Sequence, residues 1–157
     1  MAPARGRKLT GAALRPIDYP TMHFDLVRQT SIALENQPGA LHRAAAELAR
    51  HGINIQGISV VDSIDQGVVR LRTSDAAKAR AVLGVIGLNL IEADVFEFDL
   101  SDKPGRLAEV CRALAEGGVN IDYAYGSSLG IGKHMRVLLK GSPLDRAKAI
   151  LTQLPPD

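Results

Sequence analysis

"NQPGALHRAAAELARHGINI", residues 36–55, returns as "DKPGRLAEVCRALAEGGVNI", residues 102–121. Both open on Pro-Gly and close on Gly-x-Asn-Ile, and each matched position is displaced by 66 residues, as Pro104 is from Pro38. A period of that size marks a duplicated small domain rather than a solenoid unit. Within each copy Leu41, Ala45 and Leu48, matched by Leu107, Cys111 and Leu114, read as the apolar stripe of a helix. Gly52 and Gly118 stand where those helices should stop.

Working outward, "SIALE" before the first turn and "FEFDL" before the second read as strands, with Ile32 and Leu34 matching Phe98 and Leu100. After the helices, "INIQGISVV" and "VNIDYAYG" read as second strands. Hairpins follow, one with Gly67 and one with "GSSLGIG". The third strands "VVRLR" and "HMRVLL" align Val69 with Met135, Leu71 with Val137, and Arg70 with Arg136 on the opposite, solvated face. Second helices open after Ser74-Asp75 and Ser142-Pro143. There the offset has grown to 68, as Ala147 is from Ala79, so the second hairpin or the turn after it is two residues longer.

Each copy is therefore β-α-β-β-α, the start of a ferredoxin-like split βαβ unit. The first copy adds "LNLIEA" as a fourth strand, while the second has only "TQLPPD" after Leu151. The alternating "MHFDLV" of residues 22–27 either fills that gap or simply extends the first strand. A copy of about 65 residues buries too little surface to be robust alone, so one composite body is expected. The reading is α+β: two ferredoxin-like βαββαβ modules, antiparallel sheets with helices on one face, side by side. The divisions are residues 1–21 as a flexible basic tail, 22–94 as the first module and 95–157 as the second.

Composition narrows the function. Formal net charge is +2, yet Arg5, Arg7, Lys8 and Arg15 account for 4 of the 19 basic residues, leaving 15 against 17 acids in the body. That balance argues against a nucleic-acid surface, and no aromatic RNP pattern supports an RNA-binding split-βαβ domain, the rival from another class. The tail lacks an apolar core for a secretory signal; it reads as disorder or a transit peptide. No apolar run is long enough to span a membrane, and the cytoplasm is the expected location.

No catalytic constellation emerges, and neither cofactor nor metal is expected. The single cysteine, Cys111, reads as core packing on its helix stripe. His42 and His51 read as solvated, on the outer or terminal part of the first helix, and His23 and His134 have no metal-ligand spacing to another His or Cys. "GSSLGIGKH" lacks the spacing of a phosphate loop and joins strand to strand. Tyr123 and Tyr125 read as lining a module interface.

The turns suggest binding instead. Gly39 and Gly105 allow close approach to the backbone, and Pro38 and Pro104 stiffen the bend. The helix that follows offers unpaired N–H groups and a positive dipole end, suited to a carboxylate. Asn54 and Asn120 add a carboxamide, and Asp102 a partner for an ammonium. An amino acid carries all of these complements.

The stretches "ENQPGALHRAAAELARHGINI" and "SDKPGRLAEVCRALAEGGVNI", with "DQGVVRLRTSD" and "IDYAYGSS", resemble the β-turn-α-β signature of the ACT domain over most of residues 30–151. The resemblance implies amino-acid-binding modules that regulate metabolic enzymes and pair side by side, with ligands between modules. It implies one site at Asn36, Gln37, Pro38, Gly39, Ala40 and Leu41, with Asn120 and Ile121 opposite. The other is implied at Asp102, Lys103, Pro104, Gly105, Arg106 and Leu107, with Asn54 and Ile55 opposite. Asn36 departs from the common Asp that Asp102 keeps, so the second turn is expected to be the stronger site. A non-enzymatic regulator acting as a homodimer is expected; the alternative is a regulatory subunit of a biosynthetic enzyme such as acetohydroxyacid synthase.

Overall fold

The computed structural model describes residues 21–61, 66–128 and 134–156. The expected basic tail up to residue 20 and the tips of both hairpins lie outside the described residues. Ten elements follow in the anticipated order. They are β1 (Asp25–Glu35), α1 (Ala40–Arg50), β2 (Ile55–Val61), β3 (Gln66–Thr73), α2 (Ala76–Val85), β4 (Leu90–Ser101), α3 (Arg106–Glu116), β5 (Asn120–Ser128), β6 (His134–Ser142) and α4 (Leu144–Gln153). The strands form one antiparallel sheet of six in the order β2-β3-β1-β4-β6-β5.

Helices α1 and α3 end as their glycines require. Gly52 and Gly118 both adopt φ 70°. Ile53 N–H and Val119 N–H then reach back to the carbonyls of Leu48 and Leu114, at 3.0 and 2.9 Å. This is the Schellman closure, which satisfies carbonyls that a helix end leaves bare. Asp75 caps α2 by accepting the Lys78 N–H at 2.9 Å.

Ile32, Leu34, Val69 and Leu71 meet Ala44 and Leu48 of α1 and Leu83 of α2 in one buried cluster. Phe96, Phe98, Leu100, Val137 and Leu139 meet Val110 and Leu114 of α3 and Leu151 of α4 in another. Leu90 packs on the first cluster and Phe96 to Leu100 form part of the second, all on even positions of β4, so the four helices share one face of the sheet. Each fully buried Leu or Phe contributes about 1.5–3 kcal/mol. The helix stripe is rotated from expectation: Ala44 and Leu48, with Val110 and Leu114, are buried, while Leu41 and Leu107 are 39% and 41% exposed. They sit on the first helical turn, beside the bend rather than over the cluster. Cys111 is half-buried on α3.

Both readings of residues 22–27 hold at once. β1 runs unbroken from Asp25, and its first half pairs with β4, Asp25 opposite Glu97 and Leu26 opposite Phe96. Met22 and Phe24 enter the second cluster, Phe24 edge-on to Phe96 at 5.4 Å between centroids. Met22 N–H also donates to the Leu154 carbonyl at 2.9 Å. Each central strand thus serves both copies. Where they cross, Arg28 faces Asp94, its own equivalent in the repeat, and the two form an ion pair at 3.3 Å.

The third-strand alignment needs correction. Thr30 pairs with Leu71 and its equivalent Phe96 pairs with Leu139, so Leu71 corresponds to Leu139, an offset of 68 rather than 66. Likewise Arg70 corresponds to Leu138, and Arg136 to Val68. The two extra residues therefore fall in the β5–β6 hairpin. A slip of two keeps every side chain on its face, so periodicity alone is blind to it.

The helix-free face is not simply solvated. Gln29 is fully buried there; its Nε2 donates to the Tyr123 hydroxyl at 2.7 Å and its Oε1 accepts from the Tyr125 hydroxyl at 2.9 Å. Arg70 stacks on the Tyr123 ring at 4.1 Å, and Arg72 meets Glu97 at 3.1 Å. The sheet curls so that β2 approaches the side chains of β5 and β6. A Cβ on Gly57 would lie 3.5 Å from Leu138 and 3.8 Å from Tyr125.

Candidate functional site

The two Pro-Gly turns have nearly identical backbones. Gly39 and Gly105 adopt φ 89° and 92°, a region that disfavours any side chain with a Cβ. In the first, Gln37 N–H donates to the Glu35 carbonyl at 2.9 Å and Ala40 N–H to the Gln37 carbonyl at 3.3 Å. In the second, Lys103 and Arg106 repeat this with Ser101 and Lys103, at 2.8 and 3.3 Å. Helix α1 or α3 begins directly after, and its second and third amides have no partner within the helix. A Cβ built on either glycine meets nothing within 4 Å, so neither bend is crowded at the glycine itself.

Side chains make the two turns different. At the first, a cleft of ≈ 440 Å³ lies between the Pro38-Gly39 bend and the loop joining α2 to β4, with Arg43, Gln66 and Asn89 on its walls. Glu35, on the strand side, accepts from the Gln37 side-chain amide. Arg43 has no ion-pair partner among the described residues. At the second turn Arg106 replaces Ala40, and its side chain is only 12% exposed. It donates to the Pro155 carbonyl at 2.9 Å and meets Glu109 at 2.8 Å.

Of the residues expected at a site, Gln37, Pro38, Gly39 and Ala40 line the cleft. Asn36 and Leu41 flank them on the same bend, exposed. Asp102, Lys103, Pro104, Gly105 and Leu107 are exposed on the second bend. The asparagines lie elsewhere. Asn54 precedes β2 and Asn120 opens β5, the two outer strands, so each is separated by two intervening strands from the turn it was expected to face. Ile55 and Ile121 pack against the clusters of their own copies.

Both asparagines also have local work. The Asn54 N–H donates to Ser74 Oγ at 3.0 Å and its carbonyl accepts from the Ser74 N–H at 2.9 Å, tying β2 to the end of β3. Asn120 Nδ2 donates to Asp122 at 2.9 Å. Asp122 also accepts from Lys140 at 2.6 Å and Ser142 at 2.8 Å. Those donors, Lys140 foremost, hold its carboxyl down at about 2.

Arg43, Gln66 and Asn89 were missed in the sequence. Arg43 had a signal, being four residues after Gly39 on a helix and hence one turn from the bend. Gln66 had none, because only the register opposite Glu35 brings it there.

Comparison with known proteins agrees with this architecture. Among solved structures the chain is similar to protein BT0572 from Bacteroides thetaiotaomicron, with 29% identity, TM-score 0.75, and 80% of this chain and 86% of that one covered. It is also similar to the ligand-free regulatory subunit of aspartate kinase from Thermus thermophilus, with 21% identity, TM-score 0.64, and 83% and 91% covered. The corresponding subunit from Thermus flavus gives 20% identity, TM-score 0.59, and 85% and 94% covered. No match was found among curated proteins. A family model described as an ACT domain pair matches residues 25–154, both turns and all six strands included. The chain belongs to the ACT domain pair family.

Proposed function

We propose that this protein is a non-enzymatic, amino-acid-binding regulator. The observation that carries the reading is the cleft at the first Pro-Gly turn, placed against the positive end of α1 in a fold built from two ACT modules. A carboxylate there meets unpaired first-turn amides, worth about 0.3–1 kcal/mol at the surface and up to about 2 when partly buried. Glu35 offers a negative partner for an ammonium, and Arg43, Gln66 and Asn89 supply polar walls.

The functional unit in this reading is a homodimer joined along β2. That edge strand exposes Ile58, Val60 and Val61 at 45%, 57% and 49%, together with an unpaired row of backbone groups. β2 runs parallel to β1, so antiparallel pairing of two β2 strands brings Asn54 of the partner subunit to the end of the sheet that holds Pro38. Asn54 of the partner subunit then shares that end of the sheet with Asn120 of the chain itself, each two strands from the first turn.

A thermal-shift screen against the proteinogenic amino acids tests the proposal. A ligand at 100 times its dissociation constant adds about 2.7 kcal/mol, or roughly 5–10 °C for a chain of this size. Asn54→Ala and Arg43→Ala should shrink that shift while leaving the ligand-free midpoint almost unchanged. A screen in which no amino acid moves the midpoint rejects the reading.

The fold shared with aspartate kinase regulatory subunits favours a second reading, in which the chain is the regulatory subunit of a biosynthetic enzyme. Stoichiometric recovery of an enzyme with the tagged chain from native cells separates this from a free-standing sensor.

A further inference from the structure

The duplication supplies an internal comparison that bears on how many ligands one chain takes. Arg106 stands 66 residues after Ala40, and Pro155 stands 68 residues after Gly87, the offset that also relates β3 to β6 and α2 to α4. In the first copy Ala40 and Gly87 both line the cleft, with only a methyl group and a glycine between its walls. In the second copy the corresponding positions are joined. The Arg106 guanidinium donates to the Pro155 carbonyl at 2.9 Å and pairs with Glu109 at 2.8 Å, and the side chain is almost wholly withdrawn from solvent. Glu109 itself stands where the first copy has Arg43.

We infer that Arg106 closes the second Pro-Gly turn from within, so that each chain takes one ligand, at the first turn. The inference rests on the amino-acid-binding reading for its ligand, but the closure is a property of the free chain. A cation at the positive end of a helix is unfavourable by itself. Glu109 and the Pro155 carbonyl offset that cost, and they engage both terminal nitrogens of the guanidinium. The same contact anchors the segment after α4, whose Leu154 carbonyl receives the Met22 N–H and so holds Met22 against the second cluster. Opening the second turn would therefore loosen the strand that completes that copy. The selection of one turn over the other lies in residue 40 against residue 106, not in Asn36 against Asp102.

Amide NMR with the proteinogenic amino acids, each added in millimolar excess, tests the assignment. In the wild-type chain a binding amino acid should move the amides of residues 39–43 and 87–89 and leave those of 105–109 in place, at one ligand per chain. Arg106→Ala should add the 105–109 set and raise the stoichiometry to two. The reciprocal Ala40→Arg should abolish the response at the first turn. Wild-type shifts at 105–109 that Arg106→Ala removes would overturn the inference, because Arg106 would then be a ligand contact. If no amino acid moves either set, the amino-acid reading fails, and closure is judged without ligand by hydrogen exchange. Arg106→Ala should speed exchange of the Met22 and Leu154 amides by about tenfold, the scale of one charge-assisted hydrogen bond, with core amides unaffected. Unchanged exchange there overturns the closure.

Discussion

On the helix-free face, the two copies have the same backbone and opposite side chains. β2 carries Gly57 and Ser59 where β5 carries Tyr123 and Tyr125, and both strands keep the same bulge, at Gln56 and at Asp122. Bulk on one side fills the space left on the other: the tyrosines cross the curl to Gln29, and Gly57 leaves them room. The same division recurs at the crossing of the central strands, where equivalent positions hold Arg28 and Asp94. A symmetric pair would place like charges or like bulk against itself. Once two modules share a chain, each copy is free to become the complement of the other, and specificity for the internal pairing follows.

The harshest way to break that comparison is to hollow out one copy. Phe96 is fully buried and lies on a strand that serves both halves. Phe96→Ala should cost about 3–5 kcal/mol, and calorimetry should still show a single transition, because the halves share β1 and β4. A second, separate transition would mean that the copies fold independently.

Next in size is the tyrosine contact. Gln29→Met leaves two hydroxyls without their partner and should cost about 1–3 kcal/mol in denaturant unfolding. The same contact has an alkaline signature. Burial first, then the neighbouring Tyr123, pushes the Tyr125 hydroxyl up to about 12. Its folded value lies above the unfolded value of about 10, so its contribution is complete below pH ~10 and is lost as pH rises from there to about 12. Phenolate absorbance of the folded wild type should show the Tyr125 hydroxyl ionising only near pH 12.

The charge pair at the crossing is smaller. Both side chains are substantially exposed, at 50% and 35%. Asp94→Arg, which restores a like-charged pair at directly opposed positions, should cost roughly 0.2–1 kcal/mol and respond to salt. A double exchange, Arg28→Asp with Asp94→Arg, should recover most of it. Smallest is the acid response of Asp122, whose counterpart Gln56 cannot titrate. Its folded pKa is depressed to about 2, so its contribution is present above pH ~4 and fades as pH falls toward 2. Asp122→Asn should flatten that limb of the stability curve, and an unaltered limb would assign it to other carboxylates.

The legible and illegible parts of the fold divide along physical lines. The turns, both helices of each copy and the glycine stops of α1 and α3 are readable because they rest on local chemistry: a positive φ, a cap, a stripe of apolar residues. The third strands were misaligned by two residues, since an even slip leaves alternation intact and only hydrogen-bonded register tells the difference. Leu41 and Leu107 read as part of the buried stripe because period alone does not show where a sheet ends beneath a helix. Arg70 reads as solvated in the sequence because the curl that carries Tyr123 to it is a property of the whole sheet.

What the residues by themselves determined is the module: a stiff bend, a helix with an open positive end, and a second strand, written twice. Those features depend on neighbours within a few positions, and the chain repeats them with little change. Only the tertiary structure decided how the copies interlock, and that Ala40 lines a cleft while Arg106 reaches the Pro155 carbonyl. That last difference is one side chain meeting a carbonyl 49 residues away. Contacts at such separation arise from packing, which no local pattern encodes.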